Sequence, residues 1–75
     1  MDLSNVPKNT KVKIVAIHAQ TTLKKRLASL GVSVEKEVEV LETTIQKNTI
    51  KIGIGLSSIA LRLDEAKSIE VEVCA

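Results

Sequence analysis

Five short runs of alternating apolar and polar residues constrain this chain more than any other feature of it. They are Val12-Lys13-Ile14, Glu37-Val38-Glu39-Val40, Ile50-Lys51-Ile52-Gly53-Ile54, Ile59-Ala60-Leu61-Arg62-Leu63 and Ile69-Glu70-Val71-Glu72-Val73. Successive side chains of a strand point to opposite faces, so each run reads as a half-buried β-strand. With only 75 residues, the chain is bounded to a single domain, 1-75. A domain this small buries only about 60% of the surface its unfolded form exposes, so nearly every apolar side chain is needed for one core. Several short alternating strands joined by tight turns point to a small barrel or sandwich.

The first strand spans Lys11 to Ile17, and the adjacent Val15 and Ala16 break its alternation, which predicts a bend or bulge near Val15. Before it, Leu3 to Thr10 reads as a lead-in loop, with Val6-Pro7 extended and Lys8-Asn9-Thr10 turning. A single helix follows. Thr21 or Thr22 can cap its start, Leu23, Leu27 and Leu30 recur at i, i+4 and i+7 as its core face, and Gly31 stands where a left-handed residue ends it. Thr43 to Thr49 is a polar loop between antiparallel neighbours, and Gly55-Leu56-Ser57-Ser58 turns one strand into the next as a hairpin. Asp64 can cap one helical turn through Glu65-Ala66-Lys67 before the last strand. The fold class is mainly β with one inserted helix: about five antiparallel strands and a short helical turn.

Composition removes several functions. The chain has no Phe, Tyr or Trp, whereas binders of single-stranded nucleic acid stack bases on aromatic rings and readers of Pro-rich peptides line their grooves with them. Eleven Lys+Arg against nine Asp+Glu give a net charge of +2, spread along the chain. A phosphate-tracking surface calls for a stronger concentration of positive charge, so no nucleic-acid partner is expected. Cys74 is the sole cysteine, which excludes an internal disulfide and is compatible with a reducing compartment. No run approaches the ~18 consecutive apolar residues of a membrane span, and Met1-Asp2-Leu3-Ser4-Asn5 lacks the basic start and apolar run of an export signal. A soluble domain without direct membrane insertion is expected.

Few side chains are placed for chemistry. His18 has no second histidine and no cysteine pair with which to complete a soft metal site, and reads as a strand-end residue. Nothing beside Cys74 would activate its thiol. Glu37 and Glu39 share one strand face and Glu70 and Glu72 another, so they would gather a hard cation if those strands were neighbours; otherwise they are solvated faces. Gly53-Ile54-Gly55 lacks the Lys-Ser/Thr of a phosphate loop. No catalytic pair, no cofactor and no metal site is expected, and the chain reads as a non-enzyme. Lys24, Lys25 and Arg26 form the densest basic patch, either a docking surface or a solvated helix side. Leu56 at a turn tip is an apolar candidate for partner contact. With Arg62, these make up the candidate partner-binding residues.

The order of segments resembles one family. The lead-in with Leu3 and Val6-Pro7, the strand Val12-Lys13-Ile14-Val15-Ala16-Ile17 and the helix end Arg26-Leu27-Ala28-Ser29-Leu30-Gly31 carry the likeness. Glu37-Val38-Glu39-Val40, Ile59-Ala60-Leu61-Arg62, and Glu65-Ala66 ahead of Ile69-Glu70-Val71 continue it. From about Leu3 to Val73 the chain is similar to ferrous iron transport protein A, FeoA. It departs at Asn9, where the family usually has glycine, and at Val34-Glu35-Lys36, where a Pro-Gly turn is usual. It departs again at Thr49, often proline, and at Leu56-Ser57, often a Gly-aromatic pair.

The resemblance implies an SH3-like barrel with an inserted helix. It further implies a cytoplasmic accessory or regulatory protein of ferrous iron uptake, working at the inner face of the cell membrane by contact with the GTP-hydrolysing permease FeoB. Self-association is left open. Two other readings stand beside it: a small nucleic-acid-binding barrel, motivated by the slight positive charge, and a detached C-terminal regulatory domain of an iron-dependent repressor, which shares the barrel.

Overall fold

The computed structural model describes residues 1–74. Strands β1 (Lys11–Ile17), β2 (Glu37–Thr44), β3 (Thr49–Ile54), β4 (Ser57–Arg62) and β5 (Ile69–Val73) form one antiparallel sheet in the order β4-β3-β2-β1-β5. Helix α1 (Thr21–Ser29) joins β1 to β2, the short helix α2 (Leu63–Ala66) joins β4 to β5, and a 3-10 turn (Leu3–Asn5) precedes β1. The alternating residues segregate as their period requires. Val12, Ile14, Val38, Val40, Ile50 and Ile52 are buried on the concave side, with Leu61, Ile69 and Val71, while Lys11, Lys13, Glu37 and Lys51 face water. Leu3, Val6, Leu27, Val32 and Ala66 close the core from the flanking segments.

The pairing of β1 with β5 shifts register between Ile14 and Ala16, which places a bulge at Val15 as the broken alternation implied. A second bulge lies at Leu41, where the β2–β3 register shifts between Val40 and Glu42. It corrects the expected end of the second strand. Val40 and Leu41 are adjacent apolar residues and look like the end of an alternating run, yet the extra residue is absorbed by the bulge and pairing resumes at Glu42↔Lys51. The expected loop from Thr43 to Thr49 is therefore only the turn at 45–48, with Asn48 at φ +55. The β3–β4 turn is shorter than expected too. Ile54 pairs with Ser57, so Gly55-Leu56 alone form the loop. Gly55 has φ +58 and Leu56 does not share a positive φ, the pattern of a type II′ hairpin with glycine first.

Helix α1 ends at Gly31 as expected but starts differently. Its N-cap is Gln20, extended at φ −68 and ψ 162 and without a side-chain capping bond, not a threonine. His18 donates its backbone N–H to Ser68 O at 2.7 Å. That tie leaves only Ala19 and Gln20 before the turn begins, so both threonines fall inside the helix. At the other end Gly31, at φ +88, donates to Ala28 O at 3.0 Å, and Val32 donates to Leu27 O at 2.8 Å. These are the two bonds of a Schellman motif. The motif turns Val32 into the core beside Leu27 and leaves Leu30 at the cap, 37% exposed. Of the three expected core leucines, Leu27 is fully buried, Leu23 packs partly against the core, and Val32 takes the place assigned to Leu30. Helix α2 starts two residues earlier than expected. Arg62 is its N-cap, and Glu65, not Asp64, accepts the cap's N–H, at 3.0 Å.

Candidate partner-binding site

An open groove of about 570 Å³ lies beside the β3–β4 turn. Its floor is one row of residues across four strands: Lys11 opposite Glu39, Glu39 opposite Gly53, and Gly53 opposite Ser58. Glycine in a strand interior often marks a close approach. Here a methyl group on Gly53 would meet Leu41 Cδ1 at 3.5 Å, ordinary contact distance, so the absent side chain is what keeps the floor low beside Leu41. Glu37 joins Glu39 and Lys11 on the lining, which sets two carboxylates against one ammonium. Gly55 and Leu56 form the rim, and the Leu56 side chain is as exposed as in an isolated peptide, at 108%. Apolar rim and acidic lining together can receive an apolar residue flanked by a cation. Ser57 and Ser58 supply hydroxyls, and no histidine lines the groove to act as their base.

The five sequence-nominated residues fall into two places. Leu56 belongs to the groove, while Arg62 ends the same strand, β4, about 20 Å away at ~3.3 Å per residue. Arg26 on α1 forms an ion pair with Glu65 of α2. Since Glu65 also accepts the Arg62 N–H, one carboxylate gathers the helix patch and the end of β4. Arg26 is thereby committed to holding α1 against α2, whereas Lys24 and Lys25 are exposed. Sequence reasoning missed Lys11, Leu41 and Gly53 as site residues. The strand-interior glycine was the available clue; the bulge that aims Leu41 at it was not legible.

A family model described as the FeoA domain matches residues 1–73. The chain belongs to the FeoA family. A Campylobacter jejuni chain that carries the name Fe(2+) transport protein A is 34% identical over 73 residues, covering 97% of this chain and 99% of the relative. The solution structure of FeoA from Chlorobium tepidum superposes with a TM-score of 0.91 at 23% identity, over 100% of this chain and 71% of that one. A manganese-dependent transcriptional repressor matches with a TM-score of 0.93 at 21% identity, over 99% of this chain but 36% of its own. At such identities these two likenesses establish the fold alone, the SH3-like barrel of FeoA proteins.

FeoA membership makes the acidic strand faces worth locating. β2 and β5 are not neighbours, because β1 lies between them. Glu37 and Glu72 both stand opposite Lys13, and Glu39 opposite Lys11. Lysines of β1 are thus the cross-strand neighbours of these carboxylates, and opposite charges placed across strands contribute roughly 0.2–1 kcal/mol each. His18 lies at the far end of β1, its Nε2 3.2 Å from Glu70 Oε1 and both side chains exposed. Among the described residues no three His, Cys, Asp or Glu side chains converge as a metal site would require.

Proposed function

We propose that this FeoA protein is an accessory component of ferrous iron uptake that works in the cytoplasm by binding the membrane permease FeoB. In this reading Fe(2+) is the permease's cargo, and the barrel contributes contacts. The observation that carries the reading is the fully exposed Leu56 on the rim of a groove lined by Glu37, Glu39 and Lys11. An apolar side chain held out by a two-residue turn gains little from its own fold and is suited to burial against a partner. Lys24, Lys25 and Arg62, all exposed, are available as secondary contacts to an acidic surface. None of the described helices is long and apolar enough to cross a membrane, so recruitment to the permease falls to such contacts.

The test is binding of the full chain to the cytoplasmic portion of the permease, loaded with GTP analogue or GDP. The wild type is expected to bind in at least one nucleotide state, and Leu56→Glu to bind at least about tenfold more weakly, a loss of about 1.4 kcal/mol. Circular dichroism of the variant should be unchanged, since Leu56 has no buried surface to lose. No wild-type binding in either state would refute the proposal.

A further inference from the structure

The sheet has two edges, and they are protected unequally. On β5 the edge carries Glu70 and Glu72, Asp2 bridges to Glu70, and Val71 donates its N–H to Met1 O at 2.8 Å. Acidic side chains and an overlying segment are common devices against edge-to-edge pairing. β4 has neither. From Leu56 to Leu61 the sequence is Leu-Ser-Ser-Ile-Ala-Leu, without charge, proline or bulge.

The hydrogen-bond parity of β4 identifies which backbone groups point outward. Leu63 donates to Asn48 O on the β3 side at 3.0 Å, while Arg62 N–H turns away to Glu65 Oε1 at 3.0 Å. Alternation then directs Ser57, Ile59 and Leu61 towards β3, and the N–H and C=O of Ser58 and Ala60 away from it. Among the described residues none of these outward groups has a hydrogen-bond partner.

We propose that β4 pairs antiparallel with β4 of a second copy of this chain, with Ser58 opposite Ala60 of the other copy and the two Ile59 residues meeting on the two-fold axis. Each Ser58–Ala60 pair then exchanges two backbone hydrogen bonds. The Ile59 side chains, half-buried on the core face, meet at the closely spaced, non-hydrogen-bonded centre. The exposed Leu56 of each copy lies beside the aliphatic stem of Arg62 of the other. Charge favours this occupant, because no charged residue opposes a like one. The Arg62 residues of the two copies stay about 20 Å apart along the strands, and the Lys51 residues on the flanking β3 strands stay roughly 14 Å apart across them. Both distances exceed the ~8 Å Debye length at physiological salt. The self-complementary edge makes a closed, isologous dimer. This inference does not depend on the proposed permease contact.

The test is sedimentation equilibrium of the full chain up to millimolar concentration, with amide chemical shifts followed over the same range. The mass is expected to rise from 8.1 kDa towards twice that, with shifts concentrated at residues 56–62. Ala60→Pro removes an outward N–H without taking a bond from the β3–β4 ladder, and Ala60→Lys places a charge on the edge. Each is expected to hold the chain at monomer mass while leaving its circular dichroism unchanged. Should Ala60→Pro disturb the fold, Ala60→Lys alone decides. A wild type that remains monomeric, a dimer whose shifts lie elsewhere, or an Ala60→Lys variant that dimerises equally well would overturn the proposal. So would Ser58 and Ala60 amides that become protected only when permease fragment is added, an outcome that would give the edge to a strand of that partner.

Discussion

Glu35 holds φ at +75, in the left-handed region where a β-carbon crowds the following carbonyl. The other side chains found there are Asn9 and Asn48, whose short polar groups tolerate it. Two backbone bonds keep Glu35 in place: its N–H donates to Ile14 O at 2.7 Å, and Ile14 N–H donates to Lys36 O at 2.9 Å. Glu35 therefore holds a conformation to which glycine is the suited residue. Relief of about 1–2 kcal/mol, offset by about 0.5–1 kcal/mol of extra freedom in the unfolded chain, predicts that Glu35→Gly stabilises by roughly 0.5–1 kcal/mol. A higher urea midpoint with unchanged slope would show it; a lower one would count against the strain. Asn9, at φ +65, fills a left-handed position with a residue that accepts it.

Helix α1 is finished at one end and open at the other. Its C-terminus has both Schellman bonds and the Leu27–Val32 core contact, while Gln20 offers its first turn no side-chain acceptor. Gln20→Ser is therefore expected to stabilise the protein by about 1 kcal/mol, read as an increase in melting temperature with unchanged far-ultraviolet dichroism. No gain would mean that the tie from His18 to Ser68 holds the cap residue out of bonding geometry. The helix itself was legible from its leucine spacing and Gly31. Its start was less so, because the cap is chosen by where the segment entering β5 anchors the incoming chain. The displacement of Leu30 by Val32 has a different origin: periodicity continues on paper past the residue at which the Schellman turn reverses the chain.

The whole molecule is held by one aliphatic core without an aromatic ring, so each branched side chain carries a large share of it. Ile52, fully buried on the interior strand β3, is expected to cost about 2–5 kcal/mol when cut to alanine, against a total stability of about 4–11 kcal/mol for a chain of this length. Ile52→Ala should accordingly melt far below the wild type; a shift of only a few degrees would mean that the core collapses around the cavity. Where the five strands lie along the chain, though not their ends, where β1 bulges and where α1 stops were determined by the sequence itself. Alternation, a broken repeat and a glycine at a helix end are properties of residues two to four positions apart. The tertiary structure decided the rest: that β1 separates Glu37 and Glu39 from Glu70 and Glu72 and sets lysines between them, that Glu65 gathers Arg26 and the Arg62 N–H, and that Leu41 leans over Gly53. Those outcomes depend on which distant strands become neighbours and on how two bulges bend the sheet. Period-two alternation is satisfied equally well by any strand order that buries the apolar face.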